Sequence, residues 1–199
     1  MININNEYDL TNRFIWQQCK KTQIILCNTS STLEHHFIKL KSRNEGFYKK
    51  IPHFTISSTG VIYQHVPPDT QTDYIGYSDI DKQAIIVCLE NVGWLDYNIK
   101  MNQFFDWKGD EYYGEYVERN WRGKRFWAEY KKEQINALLS LLNYLCIEYS
   151  IEKDFTGSNV TSPNPKHFKG ILNRSNYNKY YRDLSPAMDF DYIKKNLII

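Results

Sequence analysis

Residues 21–31, KTQIILCNTSS, set the tightest limit on what this chain can become. The mostly apolar run over 23–26 reads as a buried strand that ends in small polar residues. Ser31, Thr32, Leu33 and Glu34 then have the spacing of a capping box, which starts a helix. A strand end that opens into a helix start is where α/β sheets place their chemistry. The residue at that strand end is Cys27. A second near-continuous apolar run, QAIIVCL over 83–89, reads as a central strand. Together with a hairpin and a late long helix, these predict an α/β (α+β mixed) domain with a central mixed sheet flanked by helices.

The other elements follow from periodicity. Residues 1–20 are polar with scattered aromatics (Tyr8, Phe14, Trp16), which predicts an N-terminal arm, partly helical from about Asp9. The helix over 32–41 puts Leu33, Phe37 and Leu40 on one stripe. His35 and His36 fall off it and are expected in solvent. Alternation over 49–64 around Ser58-Thr59-Gly60 predicts a hairpin, and 72–81 a loop. Helical spacing of Ile135, Leu138, Leu139, Leu142, Leu145 and Cys146 predicts a helix over 132–149. Residues 156–165 read as a strand end entering a turn-rich loop, and a short helix is expected near 188–197. Residues 94–130 mix Trp, Tyr and Phe with charged residues at neither period. They predict an insertion of irregular loops or a short hairpin. It is either a satellite core or a carbohydrate- or partner-binding surface.

Composition excludes some classes. With 25 Lys+Arg against 23 Asp+Glu the chain lacks the charge of a nucleic-acid binder. No apolar run approaches the roughly 20 residues of a membrane span. The N-terminus, MININNEYDLTNRF, lacks the basic and then apolar run of a signal peptide. A protein kept in the cytosol, or released by lysis, is expected. Cys19, Cys27, Cys88 and Cys146 are widely spaced and are expected as free thiols.

Five segments stand in order along the chain: IILCNTSS, IPHFTISSTGVIYQHVP, DYIGYSDIDKQAIIVCLEN, TGSNV and RDLSPAMDFDYIKK. Together they resemble the zinc-dependent N-acetylmuramoyl-L-alanine amidases, which include amidase-type phage lysozymes and peptidoglycan recognition proteins. The resemblance covers roughly residues 20–197. The aromatic insertion, ending in RGKRFWAEY, resembles phage-encoded members in particular. The resemblance implies a single domain over 1–199 and, in the family, one zinc held by three side chains with an open position for water. That metal would activate the water and polarise the amide joining N-acetylmuramic acid to L-alanine.

Carried over by position, the family's ligands fall at Cys27, Ser158 and Asp183. Cys27 can ligate as a thiolate, Ser158 is a poor zinc ligand, and Asp183 is kept. His167 is the candidate to replace the missing imidazole. The oxyanion-stabilising position falls at Tyr181, with Arg182 beside it. The family's strand Glu falls at about Cys88, two residues before Glu90, and a ligand-contacting His falls at Tyr74. Glu90 and Tyr74 are therefore the candidates for proton transfer. His53 matches a structural histidine.

Two readings follow from the resemblance. In the first, an inactive or impaired amidase-like domain, with no cofactor, binds peptidoglycan fragments or other phage structural proteins. In the second, a divergent zinc amidase (an endolysin) cleaves the same bond. Neither involves nucleic acid or membrane, and both place the protein in an infected bacterial host or a virion. A third alternative is that the resemblance is historical only, with Cys27, Ser158 and Asp183 as ordinary core and cap residues.

Overall fold

The computed structural model describes residues 2–13 and 16–197; Phe14 lies outside them. The elements in chain order are β1 (Ile4–Asn5), β2 (Gln23–Asn28), α1 (Leu33–Ser42), β3 (Phe54–Ile56), β4 (Ile62–Gln64), α2 (Ser78–Gln83) and β5 (Ala84–Leu89). Then come β6 (Trp94–Asn98), β7 (Gln103–Asp106), β8 (Glu111–Tyr112), β9 (Tyr116–Trp121), β10 (Lys124–Ala128), α3 (Lys132–Glu148), β11 (Gly170–Asn173), α4 (Arg174–Tyr177) and α5 (Phe190–Asn196).

The main sheet has the order β1-β4-β3-β5-β2-β11. The β3–β4 pair is the expected hairpin and is antiparallel, while β11–β2, β2–β5, β3–β5 and β1–β4 are parallel. The sheet is therefore mixed. Its central strands β2 and β5 are buried along their whole length, which is why both read as nearly unbroken apolar runs. Alternate residues serve two cores. Ile24, Leu26, Ile85 and Val87 face α3 and α5. Ile25, Cys27, Ile86 and Cys88 face the opposite side, with Ile75, Ile80 and Tyr74. Cys27 is the fifth of six residues in β2 rather than its end, and it is fully buried.

The N-terminal arm contributes β1 to the sheet edge and one 3-10 turn, Thr11–Arg13. Tyr8, Leu10 and Trp16 pack on the α1 core of Phe37, Leu40, Ile51 and Val66. The hairpin tip fits closely against α3. Gly60 has φ +85°, and a Cβ there would lie 2.8 Å from the Glu133 carbonyl oxygen.

Several expectations are corrected. His36 is buried, not solvated, because α1 turns it toward the hairpin, where it bonds Thr55 Oγ1 at 3.1 Å. No Ser31 capping box forms. Glu90 supplies the acceptor instead, taking the Leu33 N–H at 2.9 Å. Residues 78–81, expected as loop, lie in α2, and Gln83, expected to open the strand, is the last residue of α2. The expected strand end at 156–165 is absent; Phe155 makes an isolated bridge to Ile171, and the edge strand is β11, further along at Gly170–Asn173.

The largest correction concerns residues 94–130, which build a five-stranded antiparallel sheet of order β8-β7-β6-β10-β9. Phe104, Tyr97, Tyr116 and Phe126 form its ring cluster, with centroids 4.3–6.3 Å apart. Those rings pack on one another as a small cluster with Tyr97 and Tyr116 still exposed, and Trp94 and Trp107 line a cleft.

Candidate functional site

The carboxyl ends of β2 and β11 form the floor of the site. Asn173, the last residue of β11, pairs with Leu26 and caps α4, so Arg174 projects beside Cys27 and Asn28. Asp183 arrives from the C-terminal loop. Its Oδ2 accepts the Asn28 backbone N–H at 3.1 Å. Arg174 Nε lies 2.8 Å from the same oxygen and donates to Oδ1 at 3.1 Å. The Asp183 side chain is only 4% exposed and that of Arg174 21%. The Arg174 guanidinium also stacks 4.6 Å from the Tyr181 ring centroid and 5.8 Å from that of Tyr74. Burial opposes its charge, but Asp183 together with the Tyr74 and Cys27 groups more than offsets burial and holds it protonated.

Behind the guanidinium, Cys27 lies directly opposite Cys88 on the neighbouring strand. Tyr74 Oη is 3.0 Å from Cys88 Sγ. Burial and the adjacent Cys88 thiol push the Cys27 thiol well up, and burial does the same to the Tyr74 phenol. All four cysteines are free.

In front, a cleft of about 310 Å³ is lined by Trp94, Trp107, Tyr180, Tyr181, Arg174, Arg182 and Asp183, among others. The insertion closes one wall of it. Trp107 Nε1 donates to the Ser30 carbonyl at 2.7 Å. The β9–β10 hairpin turns through Arg122 and Gly123, both at positive φ (47° and 76°), as a two-residue primed turn requires. Its tip holds the loops of the site. Arg122 donates to the carbonyls of Asn178 (3.0 Å), Tyr181, Asn159 (3.3 Å) and Ser175 (3.1 Å), and to Thr161 Oγ1 (3.1 Å).

The residues named from the sequence separate into groups. Cys27, Asp183, Tyr74 and Tyr181 surround Arg174. Ser158 adjoins them through its backbone carbonyl, which accepts from Asn173 Nδ2 at 2.7 Å and Asn176 Nδ2 at 3.0 Å. Arg182 lies on the exposed rim, donating to the Arg122 carbonyl at 3.3 Å. Glu90 is not in this group. Its two oxygens accept from Leu33 N (2.9 Å) and Ser58 N (2.7 Å) and tie α1 to the hairpin. His167 is exposed in a 3-10 turn whose Pro165 carbonyl bonds the Gln23 side chain, at the start of β2. Four residues of strand, roughly 13 Å, separate that level from Cys27. Arg174 and Arg122 were missed. The signal for the first was the GILN run (170–173) just before it; for the second, it was Arg-Gly between two aromatic strands.

Among the described residues, no group of three or more His, Cys, Asp or Glu is arranged to hold a metal ion. No helix there is long and apolar enough to cross a membrane.

A family profile for N-acetylmuramoyl-L-alanine amidase matches residues 16–176. The chain belongs to the N-acetylmuramoyl-L-alanine amidase family. Solved structures agree with this amidase fold. AmiD from E. coli, in complex with anhydro-N-acetylmuramic acid-L-Ala-D-gamma-Glu-L-Lys, matches with a TM-score of 0.60 at 13% identity, over 90% of this chain and 58% of that one. The chain thus spans somewhat over half of the AmiD chain. LysC from Clostridium intestinale matches with a TM-score of 0.55 at 15% identity, over 100% of this chain and 98% of its own. Drosophila peptidoglycan recognition protein SD matches with a TM-score of 0.51 at 9% identity, over 95% and 92%. At these identities the likeness is one of fold. No curated protein matches the chain.

Proposed function

We propose that this chain is a single amidase-like domain over 1–199 that binds peptidoglycan fragments without cleaving them. One observation carries the reading: the Arg174–Asp183 ion pair at 2.8 Å. Asp183 is the one family ligand position still held by the family's residue type. Its carboxylate is already engaged by a guanidinium and by the Asn28 N–H. A fixed positive charge there opposes a dication at short range. Of the remaining positions, Ser158 offers a neutral hydroxyl, a poor zinc donor. Cys27 alone does not make a site. These residues do not fit zinc, and no catalytic step is assigned through it. Glu90, bonded by two backbone N–H groups, serves as a structural link rather than a proton carrier.

Binding remains well supplied. Trp94, Trp107 and Tyr180 present flat faces suited to a sugar ring, and the arginines beside them suit a peptide. The insertion's likeness to phage-encoded members supports a role in an infected host or a virion, where a phage structural protein is the alternative partner.

The test incubates the purified protein with bacterial cell walls. The protein is expected to sediment with the walls and to release no N-terminal L-alanine groups, with or without added zinc. Zinc-dependent release of those groups would overturn the reading in favour of an active amidase.

A further inference from the structure

Arg174 is held from one side only. Nε engages Asp183, and neither Nη atom forms a hydrogen bond with a described residue. The side chain lines the cleft and keeps 21% of its surface exposed. Its plane is fixed by Asp183 behind and by Tyr181, 4.6 Å away. A guanidinium oriented in this way, with two parallel N–H donors free, matches a carboxylate bidentately. Of the charged groups lining the cleft, Arg174 and Arg182 are positive and Asp183 is negative, so the lining carries a net positive charge.

We propose that the cleft is a carboxylate receptor in which Arg174 Nη1 and Nη2 take a peptide carboxylate and Arg182 flanks it. The proposal rests on the fragment-binding reading above and names the group on the fragment that is recognised. The ligand solved with AmiD has the relevant chemistry, since a γ-linked D-glutamate keeps its α-carboxylate free. Trp94 and Trp107 lie on the insertion side of the same cleft, so a sugar stacked there would leave its peptide near the arginines. Where a metal site grips the neutral carbonyl of a scissile amide, a fixed arginine selects a charged group that is not cut.

Calorimetric titration with two muramyl dipeptides tests this. Both carry the γ-carboxyl of the D-glutamyl residue as its amide; one keeps the α-carboxylate free and the other has the α-carboxamide, so the two differ in that one charge. The native protein is expected to bind the acid at least about tenfold more tightly, the scale of a charge-assisted pair. Arg174→Gln combined with Asp183→Asn removes the charge without stranding a carboxylate, and is expected to abolish the preference. Arg182→Ala, at the rim, is expected to reduce it. Equal affinity of the native protein for both dipeptides would overturn the carboxylate assignment and leave fragment binding standing. So would a preference that survives in the double variant. Failure to bind either dipeptide would overturn both.

Discussion

Acidification from neutral pH to near pH 5 is expected to cost this fold about 6 kcal/mol, enough to unfold a typical domain. The cause is three buried histidines. Burial lowers His36 and His53 from 6.5 to about 3 and His65 to about 4. Their bonding fixes the neutral form. His53 Nδ1 accepts the Ile86 N–H at 2.8 Å, so its Nε2–H donates to the Thr70 carbonyl at 2.9 Å. His65 Nδ1–H donates to the Tyr8 carbonyl at 2.9 Å, leaving Nε2 to accept from Thr55 Oγ1 at 2.9 Å. Thr55 Oγ1 in turn accepts from His36 Nε2 at 3.1 Å. Of the charged groups around them, Lys21 and Lys39 disfavour a proton on His53 and His36, while Asp9 favours one on His65.

Below about pH 6.5 the unfolded chain takes up three protons that the folded chain refuses. Stability is full above that pH and falls until the folded histidines titrate near 4 and 3. Each histidine contributes about 2 kcal/mol of loss near pH 5. Urea midpoints measured down this range should drop steeply, on the order of 4 kcal/mol per pH unit. A flat profile between pH 7 and pH 5 would show that these rings are not held neutral.

Removing Arg174 alone is expected to destabilise the protein by about 3 kcal/mol, because it leaves Asp183 charged and almost fully buried. Arg174→Met keeps the volume against Tyr181, so the loss reports charge rather than packing. Asp183→Asn alone strands the guanidinium at a smaller cost, since Arg174 keeps some solvent contact. The double variant is expected to recover most of the stability, because an amide oxygen still accepts the Asn28 N–H. A coupling energy of about 2 kcal/mol or more in this cycle is the expected result. Additive losses would mean that the two side chains do not act as a pair.

What could be read from the sequence depended on how strongly a residue's neighbours in the chain determine its surroundings. β2, β5 and α3 were legible because burial on both faces of a strand, or along one face of a long helix, leaves an apolar signature. The insertion was not. Its strands pair in a small, largely solvated sheet, so Lys, Arg and Glu alternate with aromatics such as Tyr116, Trp121 and Phe126 without a clean apolar face. His36 was misplaced because the group that buries it, Thr55, lies on another element. Cys27, Ser158 and Asp183 were expected only from the family resemblance, and nothing in that resemblance pointed to Arg174. It follows a four-residue strand whose role appears only when β11 lies against β2.

The central claim is that an ion pair stands where the family keeps its metal. Zinc content per chain, measured on protein purified without added metal or chelator, tests it most directly. The account predicts a value near zero for a folded protein, unchanged after equilibration with micromolar zinc. A value near one zinc per chain, lost on Asp183→Ala, would contradict it and restore the case for an active amidase.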